Sequence, residues 1–352
     1  MFSVKLSDKY KINMNGGSSK GTQDKYRKDE YWYKEDKLGC EGFVEYLVSQ
    51  VLEHSSLHEA EYVKYEYGLI NGKSGCRSVD FSKGEFQFFS LERLHRSITG
   101  IGLAEKTRLM DSPEMRKKYV LEFFMTYYGI DLTLYLRRVI SLDMLTLNED
   151  RHFNNLGVLL NSSGYYFNAP IFDNGMCLLN GNVSIGRGLS LEENTKRVTS
   201  KPFSGSPESQ YRLFNNNSQL KSRCCAFVID YIGLVNSLLY ENVEKSLEFY
   251  IDVLLYQLKK YIKVYCKEYE KTALMYKGKQ KGTRLCFSVS DKRVVYDVDY
   301  VLECNRSIEL IECEDLYKSE EEIKGLLEPI YINKKDFEKI LEVLGKESED
   351  YL

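Results

Sequence analysis

The apolar residues of this chain of 352 residues change their spacing along its length, and this change constrains the fold most. Up to about residue 92, short alternating or clustered apolar runs, such as YWYK at 31–34 and GEFQFFSL at 84–91, are typical of strands. They surround one helical pattern at 40–56, so we expect a sheet of strand–strand–helix–strand–strand order. From about residue 114 the spacing becomes helical. Strands followed by helices favour an α+β fold.

The second part of the chain is expected to be mainly helical. Residues 114–147 follow Ser112-Pro113, a typical helix start, and predict two helices that break near Gly129. A hairpin should follow, in which LGVLL and YYFNAPIF flank the turn NSSG at 161–164. Residues 207–270 again predict helices. The segment after 271 predicts strand-like pieces (RLCFSVS, RVVYDVDYVLE, RSIELIE) and a final helix, KKDFEKILEVLGKESEDYL.

The composition excludes several classes of protein. A net charge of −3 and a pI near 6.0 argue against a nucleic-acid-coating protein, which would neutralise phosphates with Lys and Arg. Nine scattered cysteines without a CxxC pair, and only four histidines, favour neither a disulfide framework nor a zinc site. We expect no membrane span and no signal peptide, and therefore a cytoplasmic location, with delivery into a host cell by another route left open.

One polar segment, NEDRHFNNLGVLL at 148–160, stands out because it precedes the hairpin. Asp150 ends a helical region, Asn155 comes just before the first strand, and Asp173 follows the return strand. The hairpin should bring Asn155 and Asp173 together with Asp150 close by. Two oxygen ligands and a free carboxylate are what a magnesium–nucleotide site needs. Each residue alone fits an ordinary cap or turn, but D-R-H-x-x-N followed by F-D-N-G favours a phosphotransfer site.

This pattern resembles the catalytic and metal-binding loops of the HipA-type serine/threonine kinases. The resemblance implies a two-lobed, protein-kinase-like fold, with a small β-rich N-lobe and a larger, mainly helical C-lobe that carries the catalytic hairpin. It also implies that ATP and Mg²⁺ are bound. By the same resemblance, Asp150 would orient and deprotonate the attacking hydroxyl, and Asn155 and Asp173 would hold the metal. His152 would support the loop.

A nucleotide loop is expected upstream. SSKGTQDK at 18–25 fits S-x-x-G-x-Q-x-K, which is similar to the nucleotide-loop motif of the same kinases. Glycines at Gly16, Gly17 and Gly21 permit close backbone approach to phosphates, and Ser18 lies beside them.

A phosphate-binding lysine should follow the loop. Lys34 stands where these kinases keep their strand lysine. Either Glu41 or Glu45, one turn apart on the helix at 40–56, would pair with it, and Glu41 matches the family marginally better. A surface lysine on an edge strand and solvated helix glutamates are the alternative interpretation.

The resemblance also suggests how the kinase would be regulated and divided. Autophosphorylation at Ser18, or at neighbouring Ser19, would place negative charge beside the nucleotide and inactivate the enzyme.

The hinge segment, whose backbone would bind adenine, is expected at 85–94. The predicted parts are an N-lobe at 1–92, a C-lobe at 93–270 and a mixed β/α extension packed on the C-lobe at 271–352.

Together these patterns predict an ATP-dependent serine/threonine protein kinase. One alternative is a lipid kinase of the phosphatidylinositol type, which is disfavoured because the loop after Asp173 contains only Arg187 as a cation. Another is a pseudokinase that binds a nucleotide or a partner, which the retained Lys34, Asp150, Asn155 and Asp173 disfavour. Expected partners are ATP, an unidentified protein substrate and an antitoxin-type or regulatory protein. Nucleic acid and membrane are not expected to bind directly.

Overall fold

A five-stranded sheet forms the first part of the structure, a computed structural model. The model describes residues 1–12, 23–37, 39–82, 84, 86–181, 189–215, 226–239, 243–265, 273–277, 283–289 and 292–296. The strands of this sheet are β1 (Phe2–Val4), β2 (Lys25–Lys28), β3 (Tyr31–Glu35), β4 (Tyr65–Ile70) and β5 (Lys73–Val79). They lie in the order β1-β4-β5-β3-β2. Only the β1–β4 pair among them is parallel.

Helix α1 (Glu41–Glu53) packs on strands β4 and β5. Its apolar residues lie on two adjacent faces of the helix. Nearly every side of α1 is therefore buried, and the helix has no broad polar face. Gly42 allows this close packing, because a Cβ there would lie 2.4 Å from the backbone carbon of Gly75. We call the sheet and α1 the sheet lobe.

Helices α2 (Leu91–Thr99), α3 (Leu103–Arg108), α4 (Pro113–Tyr128) and α5 (Thr133–Thr146) follow the sheet lobe. The Ser112 side chain caps α4 by accepting from the N–H of Met115, and Gly129 ends it with a left-handed φ of 66°. The predicted helix start and break are therefore confirmed.

The predicted hairpin is also confirmed, as β7 (Gly157–Leu160) and β8 (Tyr166–Asn168). Its turn is held by the Asn161 side chain, which accepts from the N–H groups of Ser163 and Tyr165. Strand β6 (Gln87–Ser90) completes a second sheet, β6-β7-β8. The prediction that 84–91 belongs to the first sheet is therefore wrong, because β6 pairs with the hairpin, Phe89 opposite Val158.

A short helix, α6 (Leu191–Thr195), comes next. The helices after it agree with the predicted helical character of 207–270, and they are α7 (Pro207–Asn215), α8 (Tyr231–Leu239), α9 (Lys245–Lys260) and α10 (Ile262–Tyr265). A third, antiparallel sheet contains β9 (Ala273–Lys277), β10 (Thr283–Val289) and β11 (Lys292–Tyr296). The predicted strand RSIELIE and the predicted final helix lie outside the described residues. No helix in the described part of the chain has the length and apolar character needed to cross a membrane.

The described residues fall into two compact units. The first comprises those within Met1–Phe227 and Val243–Lys260, and the second those within Val228–Asn242 and Tyr261–Leu352. The helices and hairpin of the first unit form what we call the helical lobe. The predicted division at residues 92 and 270 stays a prediction.

Backbone hydrogen bonds join the two lobes of the first unit. Tyr62, just before β4, forms a parallel bridge with Ile171. The N–H of Val63 donates to the Ile171 carbonyl at 2.9 Å, and the Ile171 N–H donates to the Glu61 carbonyl at 2.8 Å. An ion pair between Arg138 of α5 and Glu61 adds to this connection. The chain just before Asp173 is therefore fixed to the sheet lobe.

Candidate functional site

The loop that follows α5 presents Asp150 to solvent. Leu147 ends the helix in a left-handed conformation with a φ of 59°. The Asn148 side chain then accepts from the Asp150 N–H at 2.9 Å, a local turn that Asn favours. The Asp150 carbonyl accepts from the His152 N–H at 2.9 Å and from the Asn155 side-chain amide at 3.3 Å. These bonds fix the Asp150 backbone while its side chain stays 43% exposed.

The His152 ring lies beside the same carboxylate. Its Nε2 is 3.8 Å from Oδ2 of Asp150, and the side chain is 35% exposed. Its Nδ1 is buried and has no hydrogen-bond partner among the described residues. The His152 backbone takes part in the turn, because its carbonyl accepts from the Asn155 N–H at 2.8 Å. A loop-support role for the side chain stays a prediction.

Arg151 is the residue that joins the two loops of the site, and the sequence analysis assigned it no role. It is fully buried, and its Nε and Nη2 donate to Asp143 of α5 at 2.9–3.1 Å. Its Nη1 donates to the Phe172 carbonyl at 2.7 Å, and Nη2 donates to the Asn174 side chain at 2.6 Å. Burial alone would lower the pKa of Arg151, but Asp143 raises it above its ordinary value. The cation therefore stays charged and fixes the 172–174 segment to the Asp150 loop.

Lys34 on β3 is the centre of a buried charge cluster. Its ammonium donates to Oε1 of Glu45 and to Oδ1 of Asp173, each at 2.7 Å. The Tyr65 hydroxyl lies 3.4 Å away. Burial opposes the charge on Lys34, yet Asp173 and Glu45 raise its pKa well above the ordinary value. Burial likewise opposes the charge on Asp173, but Lys34 holds the pKa of this carboxyl below its usual range.

The glutamate that pairs with Lys34 is Glu45, so the marginal preference for Glu41 is wrong. Glu41 is the first residue of α1, and its carboxylate accepts from the N–H groups of Lys37 and Gly39. It thus satisfies donors at the helix start. Glu45, one turn further along and 1% exposed, also accepts from the Asn174 N–H at 2.8 Å. A nucleotide-binding role for Glu41 stays a prediction.

The Asp173-Asn174-Gly175 turn docks tightly on α1. Asp173 has a φ of 60°, a left-handed conformation that Asp tolerates better than most residues. A Cβ at Gly175 would lie 3.2 Å from the Glu41 Cβ, so the small residue allows the approach. The 173–175 segment therefore forms a tight turn, as its residue types indicate, and this turn places Asp173 beside Lys34.

A second lysine, Lys25 on β2, lies opposite Lys34 on the neighbouring strand β3. Lys25 pairs with Lys34 in the β2–β3 register, and burial together with the charge of Lys34 lowers its pKa. Lys25 is the last residue of the S-x-x-G-x-Q-x-K motif. The other predicted loop residues, Gly16, Gly17, Ser18, Ser19 and Gly21, lie outside the described residues.

The chemistry of Asn155 and Asp173 fits a magnesium ion that is shared with a nucleotide. The Asn155 amide nitrogen donates to the Asp150 carbonyl, so its side-chain oxygen is the atom that would coordinate a metal. Asp173 supplies a carboxylate. Magnesium is typically held by one or two such groups together with substrate phosphates. The described residues contain no cluster of three or more His, Cys, Asp or Glu side chains arranged for a metal.

Two solved structures are similar to this chain. The Helicobacter pylori proinflammatory kinase CtkA matches with a TM-score of 0.53 and 17% identity, over 75% of this chain and 98% of that one. A chain of the Shewanella oneidensis MR-1 toxin–antitoxin complex of HipA, HipB and operator DNA matches with a TM-score of 0.41 and 10% identity. This second match covers 72% of our chain and 66% of that one. No protein-family model and no curated protein matches the sequence.

The first similarity shows the fold. The chain has an α+β fold like that of a kinase, with a β-sheet lobe and a helical part, and the prediction of this fold class is confirmed.

Proposed function

We propose that this protein is an ATP-dependent kinase that transfers the γ-phosphoryl group to a serine or threonine hydroxyl of a protein. The observation that supports the proposal most is Lys34, bonded to Glu45 on α1 and to Asp173 after the hairpin, each at 2.7 Å. Phosphoryl transfer needs a cation on the phosphate chain next to a metal-binding carboxylate. The similar Helicobacter pylori structure is also that of a kinase.

The proposed reaction assigns one task to each side chain. The substrate hydroxyl oxygen forms a bond to the γ-phosphorus while the bond from that phosphorus to the β,γ-bridging oxygen breaks. The electron pair of the broken bond leaves with ADP, and the hydroxyl proton passes to Asp150. Asn155 and Asp173 would hold Mg²⁺, which neutralises phosphate charge when it is bound. Lys34 would bind the nucleotide phosphates, with Glu45 setting the position of its ammonium.

Regulation by autophosphorylation is part of the proposal. Ser18 or Ser19 would accept the phosphate, which would repel the nucleotide phosphates and lower activity. This element rests on the sequence resemblance alone. Mass spectrometry of the protein after incubation with ATP tests it, and an unmodified peptide from this segment would contradict it. An antitoxin-type or regulatory protein partner is proposed on the same ground.

The central test is transfer of radiolabelled phosphate from ATP with Mg²⁺ to the protein itself or to a generic protein substrate. The wild type should incorporate label, and Asp150→Asn or Asp173→Asn should lower the rate about 100-fold or more. Asp111→Asn is the matched control, since it makes the same chemical change at an exposed position. A wild type that binds ATP without transferring phosphate would instead be a nucleotide-binding interaction module.

A further inference from the structure

An exposed lysine from a distant segment touches the proposed catalytic carboxylate. The ammonium of Lys201 donates to Oδ1 of Asp150 at 3.1 Å. The two side chains are 54% and 43% exposed, so a substrate can reach both. An ion pair between such exposed groups contributes little to stability. The position of Lys201 beside Asp150 is therefore set by other contacts.

The backbone around Lys201 is fixed from the protein interior. The buried Gln210 of α7 donates from its amide nitrogen to the Lys201 carbonyl at 2.7 Å. The Gln210 side-chain oxygen accepts from the N–H groups of Phe203 at 2.9 Å and Ser204 at 3.2 Å. Arg116 donates to the Phe203 carbonyl at 3.1 Å. One buried amide thus uses both of its ends to set the path of the chain at Lys201.

The same segment is attached to the Asp150 loop on both sides of Lys201. Before it, the N–H and hydroxyl of Thr199 donate to the Glu149 carboxylate at 3.0 and 3.3 Å. After it, the fully buried Phe203 ring packs edge-on against Phe153, with ring centroids 5.7 Å apart. The segment that carries Lys201 is therefore attached to the Asp150 loop on both sides of this lysine.

The cations already placed at the site have other tasks. Lys34 would bind the nucleotide phosphates and is bonded to Glu45 and Asp173, and Arg151 is fully buried against Asp143. The charge of the transferring phosphoryl group spreads over three oxygens, next to the hydroxyl that Asp150 would hold. An ammonium in contact with the Asp150 carboxylate is close to that point.

We propose that Lys201 is a catalytic residue of the phosphotransfer, whose ammonium contacts the transferring phosphoryl group, and this proposal rests on the proposed kinase function. Lys201 stays protonated throughout. The proton of the hydroxyl goes to Asp150, and the electron pair leaves with ADP, so the lysine contributes charge and no proton. In the structure the ammonium donates to Asp150, and during transfer the phosphoryl group would be its second anionic partner.

The test compares three variants of the full chain. Lys201→Met keeps the length of the side chain and removes its charge, and Lys201→Arg keeps the charge. Lys196→Met is the matched control, because Lys196 is also an exposed lysine in an ion pair, with Glu192 at 2.6 Å. Rapid-quench measurement gives the single-turnover transfer rate. Fluorescence titration gives the affinities for ADP and for ADP with aluminium fluoride, which mimics the transferring group.

Lys201→Met should lower the transfer rate about 100-fold and weaken the aluminium fluoride complex, with unchanged affinity for ADP. Lys201→Arg should restore part of the rate, and Lys196→Met should behave as wild type. Wild-type rates in Lys201→Met would overturn the inference and leave the kinase proposal standing. Equal losses of affinity for both ligands would also overturn it, since they indicate a structural role. A wild type without ATP binding or transfer would refute the proposed function and this inference with it.

Discussion

Variants at Arg151 should distinguish its contribution to protein stability from its contribution to activity. Arg151→Met deletes the cation and leaves Asp143 buried without its partner, together with unmatched acceptors at the Phe172 carbonyl and Asn174. Breaking a buried ion pair on one side costs about 3–5 kcal/mol. For a folded unit of this size, about 3–5 kcal/mol corresponds to a fall in Tm of roughly 10 °C. Circular dichroism during urea and thermal unfolding measures both quantities.

The double variant Asp143→Leu with Arg151→Met tests whether stability and activity depend on Arg151 in different ways. It removes both charges, and apolar replacements of a buried pair are often neutral, so stability should return to within about 1 kcal/mol of wild type. Phosphotransfer should not return, because nothing then ties Phe172 and Asn174 to the Asp150 loop. A single variant that loses less than about 1 kcal/mol would refute the energetic reasoning. Full activity in the double variant would refute the positioning role of Arg151.

Three further predictions follow from buried contacts of the sheet lobe. Glu45→Gln should weaken ATP binding and slow transfer, because Lys34 loses the negative charge of its partner at 2.7 Å, and a nucleotide titration with wild-type affinity would contradict this. Asp36 has a pKa raised from 3.8 to about 6 by burial, so folding favours its protonated form. Its contribution to the free energy of unfolding should therefore decline by roughly 2 kcal/mol as pH rises from about 4 to about 6, and the stability difference between wild type and Asp36→Asn across this window measures it. Gly42→Ala should destabilise the protein by about 1–3 kcal/mol in urea unfolding, because the new Cβ meets the Gly75 backbone, and unchanged stability would show that α1 can shift.

Local signals in the sequence predicted much of the helical lobe. Ser112-Pro113 and Gly129 mark the ends of α4, and NSSG marks the hairpin, because each acts through its own backbone or side chain. The resemblance placed Lys34 and Asp173 in one nucleotide site without a contact between them, and the structure joins the two by a hydrogen bond at 2.7 Å.

Pairings between distant segments were not predictable in the same way. Glu41 and Glu45 lie on one face of α1, and their partners depend on where the helix begins, which a spacing pattern does not fix. The pairing of β6 with β7 depends on tertiary context, because a sequence pattern typical of a strand does not indicate which strand it pairs with. Lys201 reaches Asp150 across 51 positions of sequence.

One signal for Arg151 was present and was not used. Asp143 lies in a strongly apolar stretch of α5, ISLDMLTL, where a lone carboxylate indicates a buried cationic partner.

The bridge between Tyr62 and Ile171 has a mechanical consequence. The sheet lobe is joined to the helical lobe by this pair of backbone hydrogen bonds in addition to the contacts of Lys34 with Asp173 and of Glu45 with Asn174. Because Ile171 lies two residues before Asp173, a separation of the lobes at the site must break backbone hydrogen bonds as well as side-chain contacts.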